Sequence, residues 1–541
     1  MAYIKPGVEV QQVQESVSPN LIPPDLTACI VGPAYYVSEI TDNPDSIWMF
    51  NYEPYDKDSG NTIVVSGLTD DMVLDQDSVY VDLIGGTTAN AGIILHLDST
   101  DFATSASGLA IDTAAASTNI TDAFDGATIK IGYRARYTNK NTLMYIDSVD
   151  EIRSRLGVIN TMNPLAYGLQ AALLAANKTV FGFGVISSDD NTHAAALGYL
   201  GAKDVYVLTP LTHTDAVLTN YKEHVNYFST PEQKKLRISV QNKSIAWTNS
   251  DDGDLGDYAT GYAAALAGGY VGSTAQTLKA NALSYGEKRI FWTFPDVSYV
   301  RERRHISTLK QSYLDYMYTN EQLGLNAILA TNVTLASGTK YYAGEELTNA
   351  LWTILAAEFS YLTVLIPVPG YYYACIVAGQ ISAYPPSQPF TNISIPVISR
   401  VKYTNDVFTE TQLNTIAEGG NYIFVQSTDS SPIYCRHQLS TDMSTVERRE
   451  LSITKTLDFV SKFIANGLLP YIGRYNISSA FLKLLSMTFS AQATYLVREG
   501  HVNGLTLEKI EQDVTQKDKV LVTMRVEVKY PVNYIRITLI F

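Results

Sequence analysis

Cysteine is nearly absent from this chain of 541 residues. Its three cysteines, Cys29, Cys375 and Cys435, lie far apart, and no CxxC pair occurs. A zinc ribbon or a dithiol redox motif is therefore excluded. So few cysteines, in an odd number, are typical of a reducing compartment, and we expect all three to be packed free thiols.

Charged residues are scarce as well. They make up 17% of the chain, against about 25% in ordinary globular proteins. Because the hydrophobic share of 46% is normal, this combination indicates that sister subunits cover much of the surface. The net charge of −15 argues against a nucleic-acid coat, because phosphate binding needs clustered Lys and Arg. Tyrosine is abundant, with 37 residues against 17 Phe, and we expect it to mark surfaces that alternate between water and a partner.

No uninterrupted apolar run is long enough for a membrane span. The most apolar stretch, residues 359–399, holds no charged residue but is broken by six prolines. We interpret it as a buried strand, a turn and a helix, with no membrane insertion. The first ten residues include Lys5 and Glu9 and have no apolar centre, so we expect no signal peptide.

Motifs for catalysis and cofactor binding are missing too. The sequence has no GxSxG elbow, P-loop, HExxH or EF-hand loop. Gly182-Phe183-Gly184 follows a predicted strand but lacks the third glycine of a dinucleotide fingerprint, so close packing is the favoured interpretation. The acidic stretch 251–257 does not match a calcium loop, and we interpret it as a solvated loop. We therefore expect no enzyme activity, no catalytic residue, no cofactor and no metal.

The patterns that are present divide the chain into several parts, and its length suggests three to four domains. From residue 147 onward, strands alternate with single helices, which predicts a parallel α/β sheet. Short β-rich runs and an Ala/Ser/Thr tract indicate an inserted peripheral β domain. The predicted parts are an N-terminal β arm (1–25), an α/β core (26–45 plus 139–399), the inserted domain (46–138), a C-terminal α+β domain (400–515) and a C-terminal β arm (516–541).

Helix signals are clear at several places. Ser148 with Glu151 predicts a capping box, and Asn163-Pro164 predicts the start of another helix. The run from Arg301 to His305 is interpreted as a solvated helix start, at a subunit contact. A helix is also predicted over residues 446–466, where basic side chains form a strip on an otherwise acidic protein. The residues of this strip are Arg448, Arg449, Lys455 and Lys462.

Both terminal regions show period-two patterns that have no evident partner strand nearby. We predict that they are inter-subunit β strands, because an isolated strand buries too little surface to order itself. The alternating residues are Val8, Val10 and Val13 at one end, and Val522, Met524, Val526, Val528, Ile535, Ile537 and Leu539 at the other.

A series of motifs resembles the contractile tail sheath family of bacteriophages and related injection devices. Its members, in order, are Tyr3-Ile4-Lys5-Pro6-Gly7-Val8, Asn163-Pro164-Leu165-Ala166-Tyr167, Ala378-Gly379-Gln380-Ile381-Ser382-Ala383 with Pro389-Phe390-Thr391-Asn392, Leu413-Asn414 to Tyr422 with Tyr434 to Ser440, Arg448-Arg449-Glu450-Leu451, and the ending from Val526 to Leu539. Phe390-Thr391 departs from the small residue that the family usually has there. The motifs stand in the family's order and span nearly the whole chain.

The resemblance implies a subtilisin-like α/β core without the catalytic triad, followed by a C-terminal sheath domain. It also implies a virion tail component, assembled in the host cytoplasm as six-fold rings stacked helically around a tail tube, with baseplate and tail terminator proteins as further partners. Contraction would drive the tube through the host cell envelope for genome ejection. Two alternatives remain open: a passive capsid, tube or surface-layer protein, and an α/β hydrolase.

Overall fold

The computed structural model is a mixed α/β protein with several sheets. It describes residues 23–37, 143–161, 163–186, 190–243, 270–305, 328–347, 349–401, 409–428 and 430–539, and six separate strands between residues 62 and 137.

The strands follow one another along the whole described chain. They are β1 (Ala28–Pro33), β2 (Tyr35–Val37), β3 (Thr62–Val64), β4 (Met72–Ile84), β5 (Ile94–Leu97), β6 (Ala103–Thr104), β7 (Ala110–Asp112), β8 (Thr128–Tyr137), β9 (Leu143–Ile146), β10 (Val180–Val185), β11 (Val207–Pro210), β12 (Ile238–Asn242), β13 (Ile290–Phe294), β14 (Val297–His305), β15 (Ile328–Leu329), β16 (Val333–Thr334), β17 (Lys340–Tyr341), β18 (Tyr361–Pro369), β19 (Asn421–Val425), β20 (Tyr434–His437), β21 (Gly504–Gln512) and β22 (Val520–Glu527).

Helices alternate with these strands from residue 149 onward. They are α1 (Val149–Leu156), α2 (Pro164–Ala176), α3 (Asp190–Leu200), α4 (Asp215–Phe228), α5 (Tyr270–Tyr285), α6 (Asn349–Ala356), α7 (Tyr371–Ala383), α8 (Glu410–Glu418), α9 (Val446–Arg449), α10 (Leu451–Leu468), a 3₁₀ turn (Leu469–Tyr471) and α11 (Ser479–Arg498).

The largest sheet has eight strands in the order β20-β19-β13-β12-β11-β1-β10-β9. Its six inner strands are parallel, and β9 and β20 pair antiparallel at the two edges. The alternation of strands and helices therefore correctly predicts a parallel α/β sheet. All six residues of the inner strand β1 are buried, as expected for a strand covered on both faces.

Helices cover both faces of this sheet. On one face, α3 and α4 share a core cluster with side chains of β1 and β10 such as Val31 and Phe183. On the other face, α2 and α7 contact each other and several strands of the sheet. A Cβ on Gly379 of α7 would lie 2.2 Å from the carbonyl oxygen of Ala172 in α2, so glycine allows these two helices to approach closely. Gly182 likewise faces Leu169 of α2, and a Cβ there would lie 2.8 Å from its Cδ1, which favours the packing interpretation.

Smaller sheets surround the large one, in the orders β14-β18-β15, β2-β8-β4-β5, β3-β7-β6 and β16-β17. The strands from β3 to β8 fall in the predicted insertion. One buried contact joins it to β14, where His305 Nε2 lies 2.5 Å from Asp82 Oδ2. Since β19 and β20 belong to the eight-stranded sheet, residues 421–437 supply the last two strands at one end of that sheet. The domain boundaries themselves stay a prediction.

Contacts divide the described chain into two compact units. Residues 455–530 form one unit, and residues 26–454 with those from 531 onward form the other. In the smaller unit, the strands β21 and β22 pack on helices around a core of Tyr471, Leu485 and Phe489. The Tyr471 hydroxyl lies 2.8 Å from Thr488 Oγ1 inside this core.

The predicted helix starts at residues 148 and 163 are confirmed. Ser148 Oγ accepts a hydrogen bond from the Glu151 amide, and Pro164 occupies the first turn of α2 after the N-cap Asn163. Two other interpretations are wrong. Residues 301–305 belong to β14, not to a helix start, because they pair antiparallel with residues 361–365 of β18. The helix over 446–466 is broken at Glu450, which is extended (φ −87°, ψ 121°) and forms a β-bridge with Leu439.

Tyrosine also departs from the expectation. Among the residues that the structure describes, the ten largest fully buried side chains include eight tyrosines, which are Tyr35, Tyr206, Tyr221, Tyr299, Tyr371, Tyr372, Tyr373 and Tyr422. Many tyrosines therefore fill the core, and the high tyrosine content does not by itself indicate a surface for partners.

Candidate assembly interface

The hairpin β21–β22 is the element best suited to pair with further strands. Its two strands pair antiparallel from Gly504↔Glu527 to Gln512↔Val520, with one irregularity between Leu507 and Lys509. Among the described residues, no third strand joins this sheet. Each outer edge therefore presents backbone N–H and C=O groups that another strand could satisfy.

One face of the hairpin is anchored and the other is open. Leu507, Ile510, Val520 and Met524 pack on the helical core of the smaller unit, which holds the hairpin in place although an isolated two-stranded sheet is marginal in water. The opposite face carries exposed residues such as Leu521. The hairpin is thus packed on one face and has two unpaired edges among the described residues.

The hairpin ends in a tight turn that local hydrogen bonds hold. The Asp513 carboxylate accepts from the backbone amides of Thr515 (2.7 Å) and Gln516 (3.1 Å). The hydrogen bond from the Gln516 amide is the main reason that the pKa of Asp513 is lowered. This turn fixes the register in which β22 returns along β21.

The C-terminal segment, defined here as residues 528–539, exposes an unusual row of apolar side chains. Its exposed side chains are Tyr530, Val532, Tyr534, Ile535, Ile537 and Leu539, and the last of them is 84% exposed. The segment has no assigned secondary structure. Apolar residues in alternation usually bury one face in a sheet, so in the isolated chain this segment lacks the sheet that its pattern requires.

The predicted arm residues fall in three places. Val522, Met524 and Val526 lie in β22 and pair with β21 of the same chain, whereas Val528 follows the strand. Ile535, Ile537 and Leu539 lie in the exposed segment. The N-terminal arm residues Val8, Val10 and Val13 lie outside the described residues, so their role stays a prediction.

The four predicted tube-facing residues do not lie on one helix face. Arg448 is in α9 and pairs with the Asp442 carboxylate, whose side chain is 8% exposed. Arg449 Nε lies 3.4 Å from Glu450 Oε1. Lys455, in α10, is fully buried, and Lys462 is half-buried. The break at Glu450 separates the two arginines from the two lysines, and only a contact with a tube could test the role predicted for them.

The three cysteine thiols are packed in the interior. Burial raises the pKa of Cys29 to about 12 and also raises the pKa values of Cys375 and Cys435, so none of these thiols is a ready nucleophile. All three are free and buried, as the sequence predicts. Among the described residues, no three His, Cys, Asp or Glu side chains are grouped as a metal site would require. None of the described helices combines the length and the apolar character that a membrane crossing requires.

Sequence reasoning missed a polar cluster beside the C-terminal segment, in which Glu450, His437 and Asn533 meet. These residues come from three separate stretches of sequence. Their spacing in the sequence does not predict the cluster, because it forms through the β-bridge between Leu439 and Glu450 and through the contacts of Asn533 with Glu450 and His437.

Comparison with solved structures finds sheath proteins. The contracted helical sheath of the anti-feeding prophage (AFP) is 12% identical over 74% of this chain and 88% of that chain, with a TM-score of 0.45. The contracted sheath complex of an extracellular contractile injection system, PVC, is 9% identical over 74% and 87%, with a TM-score of 0.45. A sheath tail protein from Desulfitobacterium hafniense is 9% identical over 97% and 100%, with a TM-score of 0.39.

No protein-family model and no curated protein matches the sequence. The structural neighbours are contractile tail sheath proteins, which is the family that the sequence motifs resemble. Their sequence identity to this chain is low.

Proposed function

We propose that this protein is the structural subunit of a contractile tail sheath. Subunits assemble as six-fold rings stacked helically around a tail tube, in an extended and metastable state. A signal from the baseplate releases them into a shorter, wider state, which drives the tube through the host cell envelope. No nucleotide is needed, because the energy lies in the difference between two packings of the same subunits.

The observation that carries this proposal is the pair of incomplete β elements at the C-terminal end. The hairpin has two open edges within the described chain, and the segment after it exposes alternating apolar residues. Strand donation between neighbours satisfies both, since a donated strand fills an edge and buries its own apolar face. The motif series from Pro6-Gly7-Val8 to the C-terminal strands adds independent support.

Strand donation also suits a sheath mechanically. Each donated strand adds several backbone hydrogen bonds at ~1 kcal/mol net. Such links keep their hydrogen bonds while the globular parts of neighbouring subunits rotate. In this proposal the N-terminal residues, including Val8, Val10 and Val13, donate a second strand. The core is subtilisin-like without a catalytic triad, and the protein has no enzyme activity.

The tube is the proposed partner of the basic residues in α9 and α10. Arg449 and Lys462 are partly accessible, whereas Lys455 is buried and reversal of its charge would disturb folding. The Lys462→Glu variant should therefore weaken assembly of sheath with tube and leave tube-free polymers unchanged. Unchanged assembly with the tube would contradict this placement.

Electron microscopy of the purified protein tests the main proposal. We expect hollow, striated cylinders with six-fold symmetry, and two different helical lattices before and after contraction. A single lattice under all conditions would favour the passive capsid, tube or surface-layer alternative. Saturable turnover of a peptide that a point mutation abolishes would favour the hydrolase alternative.

A further inference from the structure

Glu450 places a carboxyl group in the interior, at the break between α9 and α10. Its side chain is 0% exposed, and Oε1 lies 2.9 Å from His437 Nε2. Its other oxygen, Oε2, has no hydrogen-bond partner among the described residues. Arg449 Nε also lies 3.4 Å from Oε1. Because a buried carboxylate is costly unless donors reach it, each donor contributes to its stabilisation.

Asn533 of the C-terminal segment supplies one of these donors. Its Nδ2 lies 3.0 Å from Glu450 Oε1 and 3.2 Å from His437 Nε2. Since a carboxylate oxygen only accepts, the 2.9 Å contact places a proton on His437 Nε2. The Asn533 amide therefore donates to Glu450 and not to the ring. Its Oδ1 is also buried and has no hydrogen-bond partner among the described residues.

Exposure along the segment changes abruptly after this contact. Pro531 and Asn533 are half-buried, while Val532 and Tyr534 between and after them point outward. From Ile535 to Leu539 every residue is exposed. Asn533 is thus the last residue of the described segment that rests on the subunit.

We propose that Glu450 and His437 form a socket for Asn533 and that this socket determines where the C-terminal segment leaves the subunit. Asn533 is a positioning residue: it holds residues 531–534 in one place, so that residues 535–539 start towards a neighbour from a defined point. The inference rests on the proposed function in one respect, because the segment's pairing with a neighbour is part of that proposal. The socket itself is argued from contacts within one chain.

The Asn533→Asp variant tests the socket. It keeps the shape of the side chain but replaces the amide donor with a carboxylate beside the buried carboxylate of Glu450. Chymotrypsin cleavage after Tyr534 requires the residues just before it, including Asn533, to leave the surface, and we expect it to become about tenfold faster, as cleavage follows the population of the open form. Cleavage after the exposed Tyr342 serves as the internal reference, and the exposed Asn476→Asp as the matched variant with unchanged cleavage.

A second variant separates a specific pair from a general effect of charge. In the double variant Glu450→Gln with Asn533→Asp, the donor and the acceptor exchange places, and His437 still faces an acceptor oxygen. Cleavage after Tyr534 should return to near the wild-type rate. Unchanged cleavage in Asn533→Asp, or no recovery in the double variant, would overturn the socket. If Asn533→Asp does not fold, Asn533→Ala replaces it in the same assay.

Assembly is measured separately, so that the two proposals can fail independently. Asn533→Asp should reduce the number of cylinders in micrographs, and the double variant should restore it. Deletion of residues 535–541 tests the arm itself. If this deletion leaves cylinders normal while the cleavage results hold, strand donation by the segment fails but the socket stands. If cleavage is as expected and Asn533→Asp assembles normally, the socket does not direct the arm and the inference is wrong.

Discussion

At the scale of single residues, the core of this protein contains polar groups that act as internal connectors. Arg237 is fully buried. Its Nη2 donates to the carbonyl oxygens of Leu200 (3.0 Å) and Lys203 (2.5 Å). Leu200 is the last residue of α3, and Lys203 lies in the loop after it. The Arg237 guanidinium also lies over the Phe228 ring, 4.5 Å from the centroid. One side chain thus satisfies carbonyls that the helix end leaves open.

The Arg237→Leu variant should therefore be strongly destabilised. It leaves buried carbonyl groups without donors, which we expect to lower the free energy of unfolding by about 3 kcal/mol. Chemical denaturation monitored by circular dichroism measures this loss. The exposed Arg153, which lies 3.7 Å from Asp150, is the matched control, since Arg153→Leu should change stability by less than ~0.5 kcal/mol. Equal effects of the two substitutions would contradict the role assigned to Arg237.

His224 links the same cluster to pH. Its Nε2 lies 2.5 Å from Arg237 Nη1, and burial together with the Arg237 charge lowers the pKa of His224 to about 3. In the unfolded chain the pKa of histidine is about 6.5. Between these two pKa values, His224 is protonated in the unfolded state but neutral in the folded state. The contribution of His224 to the free energy of unfolding therefore falls as the pH drops from about 6.5 towards 3.

The His224→Gln variant should show a shallower loss of stability in acid. A glutamine oxygen can accept from Arg237 but does not titrate, so the variant lacks the contribution of about 1.4 kcal/mol per pH unit from this group. Unfolding free energies measured at pH 7, 6, 5 and 4 give the two slopes. If wild type and variant lose stability in parallel across this range, the assignment to His224 is wrong.

At the scale of elements, strands of the predicted insertion make buried contacts with residues outside it. The end of β8 contributes the buried residues Ala135 and Tyr137, and the Tyr137 amide donates to the Ala34 carbonyl. His305 of β14 contacts Asp82 of β4, and both side chains are 2% exposed. The predicted peripheral domain therefore also stabilises the rest of the chain. Its removal would take away the polar contact of Asp82 with His305 and the buried side chain of Tyr137.

Replacement of residues 46–138 by a short Gly/Ser linker should leave polymer formation intact but lower stability by about 2–3 kcal/mol. The reason is the loss of buried contacts at Tyr137 and His305. Electron microscopy checks for cylinders, and thermal unfolding measures the loss. In the full-length chain, His305→Gln should reproduce part of the destabilisation. A folded variant that never polymerises would show that the insertion has a role in assembly.

At the scale of the whole molecule, the incomplete sheets and the low charge point in the same direction. An exposed segment with alternating apolar residues invites uncontrolled association, and the proposed closed mesh of donated strands removes that risk. With 17% charged residues, the surface is also suited to being covered by copies of itself. The proposed polymer satisfies both features.

Deletion of residues 1–18 should abolish cylinders and leave the fold unchanged. These residues hold the predicted donor strand with Val8, Val10 and Val13, and a polymer without it loses one link per subunit. Circular dichroism and gel filtration check the fold, and electron microscopy checks the polymer. Proline at Val8 and Val10 should act similarly by removing ladder donors. Cylinders of normal length and stability from the truncated chain would contradict strand donation by this arm.

Local patterns in the sequence were sufficient for part of the α/β core, but not for residues 301–305, which lie in β14. Strand–helix alternation, the cap at Ser148 and the Asn163-Pro164 helix start each depend on neighbouring residues, so they could be predicted from order alone. The alternating residues of the C-terminal segment were recognisable for the same reason. Spacing alone, however, did not show that Val522, Met524 and Val526 pair with β21 of the same chain.

Long-range contacts decided the rest. The helix pattern over 446–466 is continuous in sequence, yet the bridge between Glu450 and Leu439 extends the backbone at that residue and breaks the helix. The helical periodicity of the sequence predicts that Lys455 is exposed, but it is buried in the structure. The cluster of His437, Glu450 and Asn533 unites residues up to 96 positions apart. Sequence order determines which local elements can form, whereas burial and polar partnership depend on what the folded chain brings beside them.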